Sequence, residues 1–303
     1  MSLLARVEAC SRLDRSSVVP FLIDGVRYGL VGRSARRCLT AMGTPFMVQT
    51  GSNGDSEPAA IRLDTDPALP PADRVAMRSA ALDRAVDRML EEGILRRRRS
   101  EVYTVVNGWG ETPVATVDRA AMTAFGFLAF GVHVNGYVGD GPDRKLWIAR
   151  RSSDRAIAPG QLDNIVAGGI GDGHSIFETL IKESYEEAGL PAEIAGMARP
   201  TGTVSYVTHD TDGGDGTGVR RDVLFNYDLA LPARVEPYNT DGEVADFSLM
   251  PVNQVIQRLE TGDDFKFNVA PVMIDFLIRH GHIGPEHPDY QALMQGLHRP
   301  VDA

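Results

Sequence analysis

Cysteine, positive net charge and long apolar runs are all scarce in this chain. Its 303 residues include two cysteines, Cys10 and Cys38, too few for a disulfide framework and not spaced as metal ligands. No run approaches the roughly 20 apolar residues that span a bilayer, and residues 1–11 lack the pattern of a secretory signal. A net charge of -10 disfavours broad attraction to nucleic acid. We therefore expect a soluble cytoplasmic protein that binds neither membranes nor nucleic acid.

The pattern of apolar residues predicts two domains and a tail. A hydrophobic content of 43% in a chain of this length can form a large core. Residues 1–119 are expected to form a small α+β domain, with a hairpin around Asp24 and Gly25, a helix over 74–92, and strands near 101–106 and 113–117. Residues 120–285 show strands, a long connection, a helix, further strands and late helices. Residues 286–303 are expected to form a C-terminal tail.

The segment from Gly168 to Leu190, GGIGDGHSIFETLIKESYEEAGL, carries the clearest chemical signal. Its apolar spacing predicts a helix that begins near Ser175 and ends at Gly189. Glu183, Glu186 and Glu187 occupy positions i, i+3 and i+4, so they project from one face of that helix. Three like charges held this close repel one another. A divalent cation would remove the repulsion, although a solvated acidic helix is the alternative interpretation.

The glycine-rich loop before the helix supports the metal interpretation. Gly168 and Gly169 open this loop, and their backbone can approach a ligand closely. Their carbonyl oxygens are candidate metal ligands. The loop contains neither a P-loop pattern nor the glycine spacing of a dinucleotide-binding turn.

Loop and helix together resemble the Nudix box, G-x5-E-x7-R-E-U-x-E-E-x-G-U, where U is a bulky aliphatic residue. The first glycine, the three acids of the helix and the final Gly-Leu pair match this pattern. Three positions depart from it: His174 replaces the loop glutamate, Lys182 the arginine, and Ser184 an aliphatic residue. Lysine keeps the charge of the arginine but lacks its planar fork.

The resemblance extends beyond the box to a particular branch of the family. The stretches AFGFLAFGVHVNGYV, LWIARRS, PGQLDNIVAGG, YDLALP, NTDGEVADFSLM and FKFN are similar to the Nudix branch associated with thiamine pyrophosphokinase. That branch carries an extra N-terminal domain, and some members hydrolyse oxidised forms of thiamine diphosphate. The resemblance implies an α/β fold, in which an α/β/α sandwich with a mixed sheet follows a small α+β domain.

The resemblance also assigns the chemistry of the site. It implies a Mg²⁺ site, with Mn²⁺ as an alternative, formed by Glu183, Glu186 and Glu187 with a carbonyl oxygen of the glycine loop, either Gly168 or Gly169. Lys182 is expected to support these acids. The expected catalytic residues are Glu183, Glu187 and Glu243, and the general base is left open between Glu183 and Glu243. The expected reaction is metal-assisted attack of water on a diphosphate.

Substrate contacts are predicted from polar residues in otherwise apolar strands and loops. His133 and Asn135 alternate along GVHVNGYV and so share one strand face, where buried polar groups require partners. A ligand would provide such partners, and so would hydrogen bonds within the protein. Four further residues are candidates for binding phosphate: Arg150, Arg151, Lys266 and Asn268. The alternative is that they are exposed residues of a solvated surface.

Two other functions remain open from the sequence. The predicted substrate is thiamine diphosphate or an oxidised derivative. The alternative substrate is a nucleoside diphosphate linked to a second group, such as a nucleotide sugar or a dinucleotide. The departures at His174 and Lys182 also allow a degenerate module that binds a phosphorylated ligand without cleaving it. A small-molecule diphosphate is the expected partner, and a homodimer is a further expectation. Three roles are open for the N-terminal domain: it covers the cleft, selects the organic half of the substrate, or mediates dimerisation.

Overall fold

A computed structural model describes residues 1–50, 58–211 and 216–301 of the chain. The N-terminal part contains a sheet with strand order β2-β1-β4-β3, in which β1 and β4 are parallel, and a separate antiparallel pair, β5 and β6. Its elements are α1 (Leu3–Ala9), β1 (Val19–Ile23), β2 (Val26–Val31), α2 (Arg33–Met42), β3 (Phe46–Thr50), β4 (Pro58–Leu63), α3 (Pro71–Glu91), β5 (Val102–Val105), β6 (Ala115–Asp118) and α4 (Met122–Phe125).

Local sequence signals explain two elements of this part. Asp24 and Gly25 both have positive φ, 47° and 81°, as the tight turn between β1 and β2 requires, which confirms the predicted hairpin. Pro71 begins α3, where its missing N–H costs no helical hydrogen bond. The helix then buries Leu82, Val86 and other apolar side chains of one face.

The C-terminal part is built around a larger mixed sheet with the order β11-β12-β7-β8-β13, while β10 pairs with β7 and β9 with β8. Strands β7 and β12 are parallel, and the other pairs are antiparallel. The elements are β7 (Leu128–Val138), β8 (Lys145–Arg151), β9 (Leu162–Asp163), β10 (Val166–Gly169), α5 (Ile176–Ala188), α6 (Ala192–Ala195), β11 (Arg199–Asp210), β12 (Gly218–Ala230), β13 (Val244–Pro251), α7 (Val252–Thr261), α8 (Val269–Arg279) and α9 (Tyr290–Leu297).

Helices cover both faces of this mixed sheet. On one face Val132 and Val134 of β7 share a buried cluster with Leu180 of α5. On the other face residues of β8 cluster with α7 and α8, among them Ile148 and Phe276. This arrangement confirms the predicted α/β fold, with a mixed sheet between helices and a further domain before it.

The two ends of the chain pack together on the second core. Leu293 and Leu297 of α9 are fully buried, and they share a cluster with Leu3 and Val7 of α1. Residues 290–297 are therefore a packed helix and not a loose tail. The core of the N-terminal part continues as far as Phe127, which lies beyond the predicted boundary at residue 119.

Within the described ranges, no helix combines the length and the apolar character needed to cross a membrane.

Candidate active site

A cavity of about 490 Å³ lies where the N-terminal part meets the mixed sheet and α5. This volume is within the usual range for sites that bind small molecules. The N-terminal part, the sheet, α5 and several loops all contribute to its wall. Its lining includes Glu101, Tyr103, Arg119, Phe127, Phe130, His133, Arg151, Arg155, Gly168, Gly169, Lys182, Glu183, Glu186, Glu187, Glu243, Lys266, Phe267 and Asn268.

Local capping fixes the position of α5, which carries the three acids. The side chain of Ser175 accepts from the backbone N–H of Glu178, and the Glu178 carboxylate accepts from the Ser175 backbone N–H. This reciprocal pair is a capping box. At the other end Gly189 adopts the left-handed conformation, with φ 61°, which glycine tolerates best. Both predicted helix ends are confirmed, so the spacing of the acids along α5 is secure.

Glu187 is the most buried of the three acids. Its side chain reaches β10, where the carboxylate accepts a hydrogen bond of 2.7 Å from the backbone N–H of Ala167. Burial, followed by repulsion from Asp163, raises the pKa of Glu187 well above its usual value. A positive charge placed beside this carboxylate would therefore stabilise it.

Glu183 packs directly over Gly168. A Cβ atom added to Gly168 would lie 2.3 Å from Cγ of Glu183, so the carboxylate reaches this position because residue 168 has no side chain. Burial raises the pKa of Glu183. Glu183 and Glu187 thus place one partly buried and one buried carboxylate beside β10.

Lys182, which is predicted to support the acids, contacts two of them through a single ammonium group. Its Nζ lies 3.1 Å from Oε1 of Glu183 and 2.7 Å from Oε2 of Glu186. Glu186 is thereby directed towards Lys182, and 39% of its side chain is exposed. The three acids line one cavity, but each carboxylate has a different neighbour.

The donor chemistry of these acids fits a hard divalent cation. Mg²⁺ prefers oxygen ligands, and carboxylates with raised pKa values gain from a nearby positive charge. Within residues 1–50, 58–211 and 216–301, however, no three Asp, Glu, His or Cys side chains converge closely enough to hold a metal ion. Binding through Glu183, Glu186 and Glu187 therefore requires their carboxylates to move closer together.

A buried ion cluster forms another part of the wall. The Asp163 carboxylate lies 3.0 Å from Nη1 of Arg151 and 3.3 Å from Nζ of Lys266. Burial opposes ionisation of Asp163, but Lys266 and Arg151 outweigh it and lower its pKa. Burial also lowers the pKa of Lys266. Arg151 and Lys266 lie on the cavity as expected, with Asp163 balancing part of their charge.

His133 and Asn135 belong to one buried hydrogen-bond chain. Nδ1 of His133 lies 2.8 Å from Oδ1 of Asn164, and Asn164 donates to Asn135 over 2.8 Å. Asn135 in turn donates to Asp228. His133 lines the cavity, and burial lowers its pKa to about 4, so it is neutral at pH 7. Asn135 is fully buried, and its partners are protein groups.

The remaining predicted residues divide between cavity and surface. Asn268 lines the cavity, donates to the hydroxyl of Tyr206 over 3.2 Å, and has a buried Oδ1 without a hydrogen-bond partner. Glu243 lines it too and is paired with Arg155. Arg150 lies apart from the cavity wall, where Nη1 donates to the carbonyl of Gly160 over 3.0 Å. The structure therefore brings neither Arg150 nor Asn135 to the site.

Several cavity residues escaped the sequence analysis. Tyr103 and Arg119 come from the N-terminal part, more than 50 residues before α5 in the chain. Arg155 also lines the cavity and has no spacing signal in the sequence. Asp163 lies behind the cavity wall, where it pairs with the lining residues Arg151 and Lys266, and the adjacent polar residues Asp163 and Asn164 are its one sequence signal.

The fold and the cavity define an α/β protein whose acidic helix faces a small-molecule site. A family model for the NUDIX domain matches residues 130–271, and a model described as a domain of unknown function (DUF4743) matches residues 2–129. The boundary between the two matches lies ten residues later than the predicted one.

Two plant proteins resemble the chain over nearly its whole length. It is 36% identical over 296 residues to Nudix hydrolase 20, chloroplastic, of Arabidopsis thaliana, an alignment that covers 96% of this chain and 76% of that protein. It is 40% identical over 296 residues to Nudix hydrolase 24, chloroplastic, of the same plant. That alignment covers 97% of this chain and 77% of that protein. The crystal structure of DR0079 from Deinococcus radiodurans is 20% identical, with a TM-score of 0.43, and covers 57% of this chain and 98% of that chain.

The chain therefore belongs to the Nudix hydrolase family. It is a hydrolase that acts on phosphoric anhydrides, as the members of this family do on pyrophosphate bonds, generally with a divalent metal ion. The resemblance inferred from the Nudix box is confirmed at the level of the family.

Proposed function

We propose that the protein is a Mg²⁺-dependent pyrophosphohydrolase of the cytoplasm that cleaves the diphosphate of thiamine diphosphate or of its oxidised derivatives. The observation that carries the metal-dependent part is the pair of carboxylates, the partly buried Glu183 and the buried Glu187, beside β10 on the cavity wall. Burial raises the pKa values of both, so a cation bound beside them would stabilise their charged forms. The thiamine part rests on the resemblance of the stretches quoted above.

The residues divide the chemical work as follows. Glu183, Glu186 and Glu187, with a carbonyl oxygen of Gly168 or Gly169, would hold the metal. When bound, Mg²⁺ would neutralise phosphate charge and favour attack by water. Glu183 or Glu243 would accept the proton of that water. Lys266, Arg151 and Asn268 would position the diphosphate, and His133, neutral at pH 7, would contact the substrate without adding charge.

The cavity also offers apolar surface for the organic half of the substrate. Phe127, Phe130 and Phe267 line it, and aromatic side chains provide large contact areas. A heteroaromatic group fits this composition. The apolar wall does not by itself separate a thiazole from a nucleobase.

A comparison of substrates tests the proposed specificity. The purified protein with Mg²⁺ is expected to hydrolyse oxothiamine diphosphate with a higher kcat/KM than ADP-ribose. A wide preference for ADP-ribose would reject the thiamine assignment and support the nucleoside diphosphate alternative.

The contacts of Lys182 favour a second candidate, a module that binds a diphosphate without cleaving it. One ammonium group pairs with both Glu183 and Glu186 and so occupies two of the proposed metal ligands. Calorimetry that shows Mg²⁺-dependent binding of thiamine diphosphate, with no product after hours of incubation, would support this candidate. Turnover that disappears in Glu187→Gln would exclude it.

A further inference from the structure

We infer that the N-terminal domain supplies part of the diphosphate site, with Arg119 and Tyr103 binding phosphate oxygens of the substrate. This inference rests on the proposed function, because it assumes that the cavity beside Gly168 and Gly169 receives a diphosphate. It assigns a direct role in substrate binding to a domain whose family model describes no function.

The guanidinium of Arg119 lies above the glycine strand. Its Nη2 is 3.5 Å from the position that a Cβ atom would take on Gly169. Its Nη1 donates to Oε2 of Glu101 over 2.7 Å, and 48% of the Arg119 side chain is accessible because it faces the cavity. The planar fork can pair with phosphate oxygens through two N–H groups at once.

Tyr103 provides the second, independent observation. The residue is 4% exposed, and its buried hydroxyl has no hydrogen-bond partner in the structure. The hydroxyl oxygen lies 1.9 Å from the Cβ position of Gly169, so it occupies the space that a side chain at residue 169 would fill. Buried hydroxyl groups are nearly always paired, and a phosphate oxygen above Gly169 would accept its hydrogen.

Both groups line the same cavity as the acids of α5. Gly168 and Gly169 follow one another in β10, and Glu183 lies at the Cβ position of Gly168, while Tyr103 and Arg119 lie at that of Gly169. The charge on Arg151 and Lys266 is shared with the buried Asp163. Arg119 has a partly exposed partner, Glu101, which is 39% accessible at its side chain. A diphosphate can therefore displace Glu101 from Arg119, or bind Arg119 beside Glu101, with little loss of free energy.

Calorimetric titration of the full chain tests the inference without relying on turnover. The probe is methylenediphosphonate, a diphosphate that cannot be hydrolysed, added with Mg²⁺. Arg119→Gln is expected to raise its Kd by about 10-fold to 100-fold, and Tyr103→Phe by about 3-fold to 10-fold, as for lost hydrogen bonds to a charged group. Arg98→Gln is the matched control, because Arg98 pairs with Asp83 and Asp87 on the same domain and should bind as the wild type does.

Two further variants separate phosphate binding from a structural role. Arg119→Lys keeps the charge but not the fork, so an intermediate Kd is expected. Glu101→Gln releases Arg119 from its ion pair, so binding should be equal to or tighter than in the wild type. Weakening by Glu101→Gln as large as that by Arg119→Gln would show that the ion pair only holds the fold, and would overturn the inference.

The remaining outcomes are also decisive. Unchanged Kd values for both Arg119→Gln and Tyr103→Phe, or no binding of the probe by the wild type, would overturn the inference. A wild type that binds the probe through Arg119 but hydrolyses neither thiamine diphosphate nor oxothiamine diphosphate with Mg²⁺ or Mn²⁺ would support the inference and reject the proposed function.

Discussion

The close approach between Gly168 and Glu183 leads to a quantitative prediction for Gly168→Ala. The added Cβ would lie 2.3 Å from Cγ and 2.4 Å from Cδ of Glu183. Carbon atoms in contact are about 3.5 Å or more apart, so the Glu183 side chain must move by roughly 1 Å or more. A displacement of about 1 Å in a catalytic site costs on the order of 100-fold in rate. We expect kcat/KM for Mg²⁺-dependent hydrolysis to fall by about that factor, measured by steady-state release of product.

Gly171→Ala is the matched control for this change. Gly171 lies just after β10, three residues beyond Gly168, and a Cβ there would be 3.4 Å from the carbonyl oxygen of Val102, near ordinary contact. Its kcat/KM should stay within about 3-fold of the wild type, since overpacking is slight. Thermal unfolding of both variants would show whether the fold is kept. If folded Gly168→Ala were as active as Gly171→Ala, the placement of Glu183 in the reaction would be refuted.

Three further predictions concern an acid, the pH dependence and the last helix. Glu187→Gln retains an acceptor for the Ala167 N–H, so it should fold normally while kcat falls by about 100-fold or more; near-normal turnover would contradict its role. Because burial raises the pKa values of Glu183 and Glu187 above the usual 4.5, the folded state binds more protons, and metal-free stability should fall as pH rises from about 4.5 through the raised values. Urea unfolding at a series of pH values should show this decline in the free energy of unfolding. The decline should be smaller in Glu187→Gln, and Mg²⁺ should partly reverse it in the wild type. The same pH dependence in Glu187→Gln as in the wild type would contradict the raised pKa of Glu187. Leu293→Ala should lower the free energy of unfolding by about 2–5 kcal/mol, and a loss below about 1 kcal/mol would show that α9 contributes little.

Features set by neighbouring residues could be predicted from the sequence. Ser175 and Gly189 mark the ends of α5 through caps that involve residues one helical turn away or closer. Asp24 and Gly25 specify their turn in the same way. Because the helix ends are set locally, the sequence predicts which face of α5 carries the three acids, and that face lines the cavity.

Features set by distant contacts could not be predicted. The alternation of His133 and Asn135 does place both on one strand face, but Asn164 and Asp228 pair with Asn135 there, and a single sequence contains no signal for that pairing. Arg119 reaches the cavity because two domains dock, which residue spacing does not encode. The same holds for α9, whose burial depends on contact with α1 at the opposite end of the chain.

The departures from the family motif leave the acids of the cavity in place. His174 lies in the exposed loop, where Nδ1 is 3.1 Å from the carbonyl oxygen of Asp172, so its substitution for glutamate removes a charge at the rim. Ser184 is fully buried, and its hydroxyl has no hydrogen-bond partner, which costs stability but not a metal ligand. Lys182 is different, because its ammonium group binds Glu183 and Glu186 as a point charge. Activity at this site thus depends on whether a divalent cation, with twice the charge of that ammonium group, can draw Glu186 away from it.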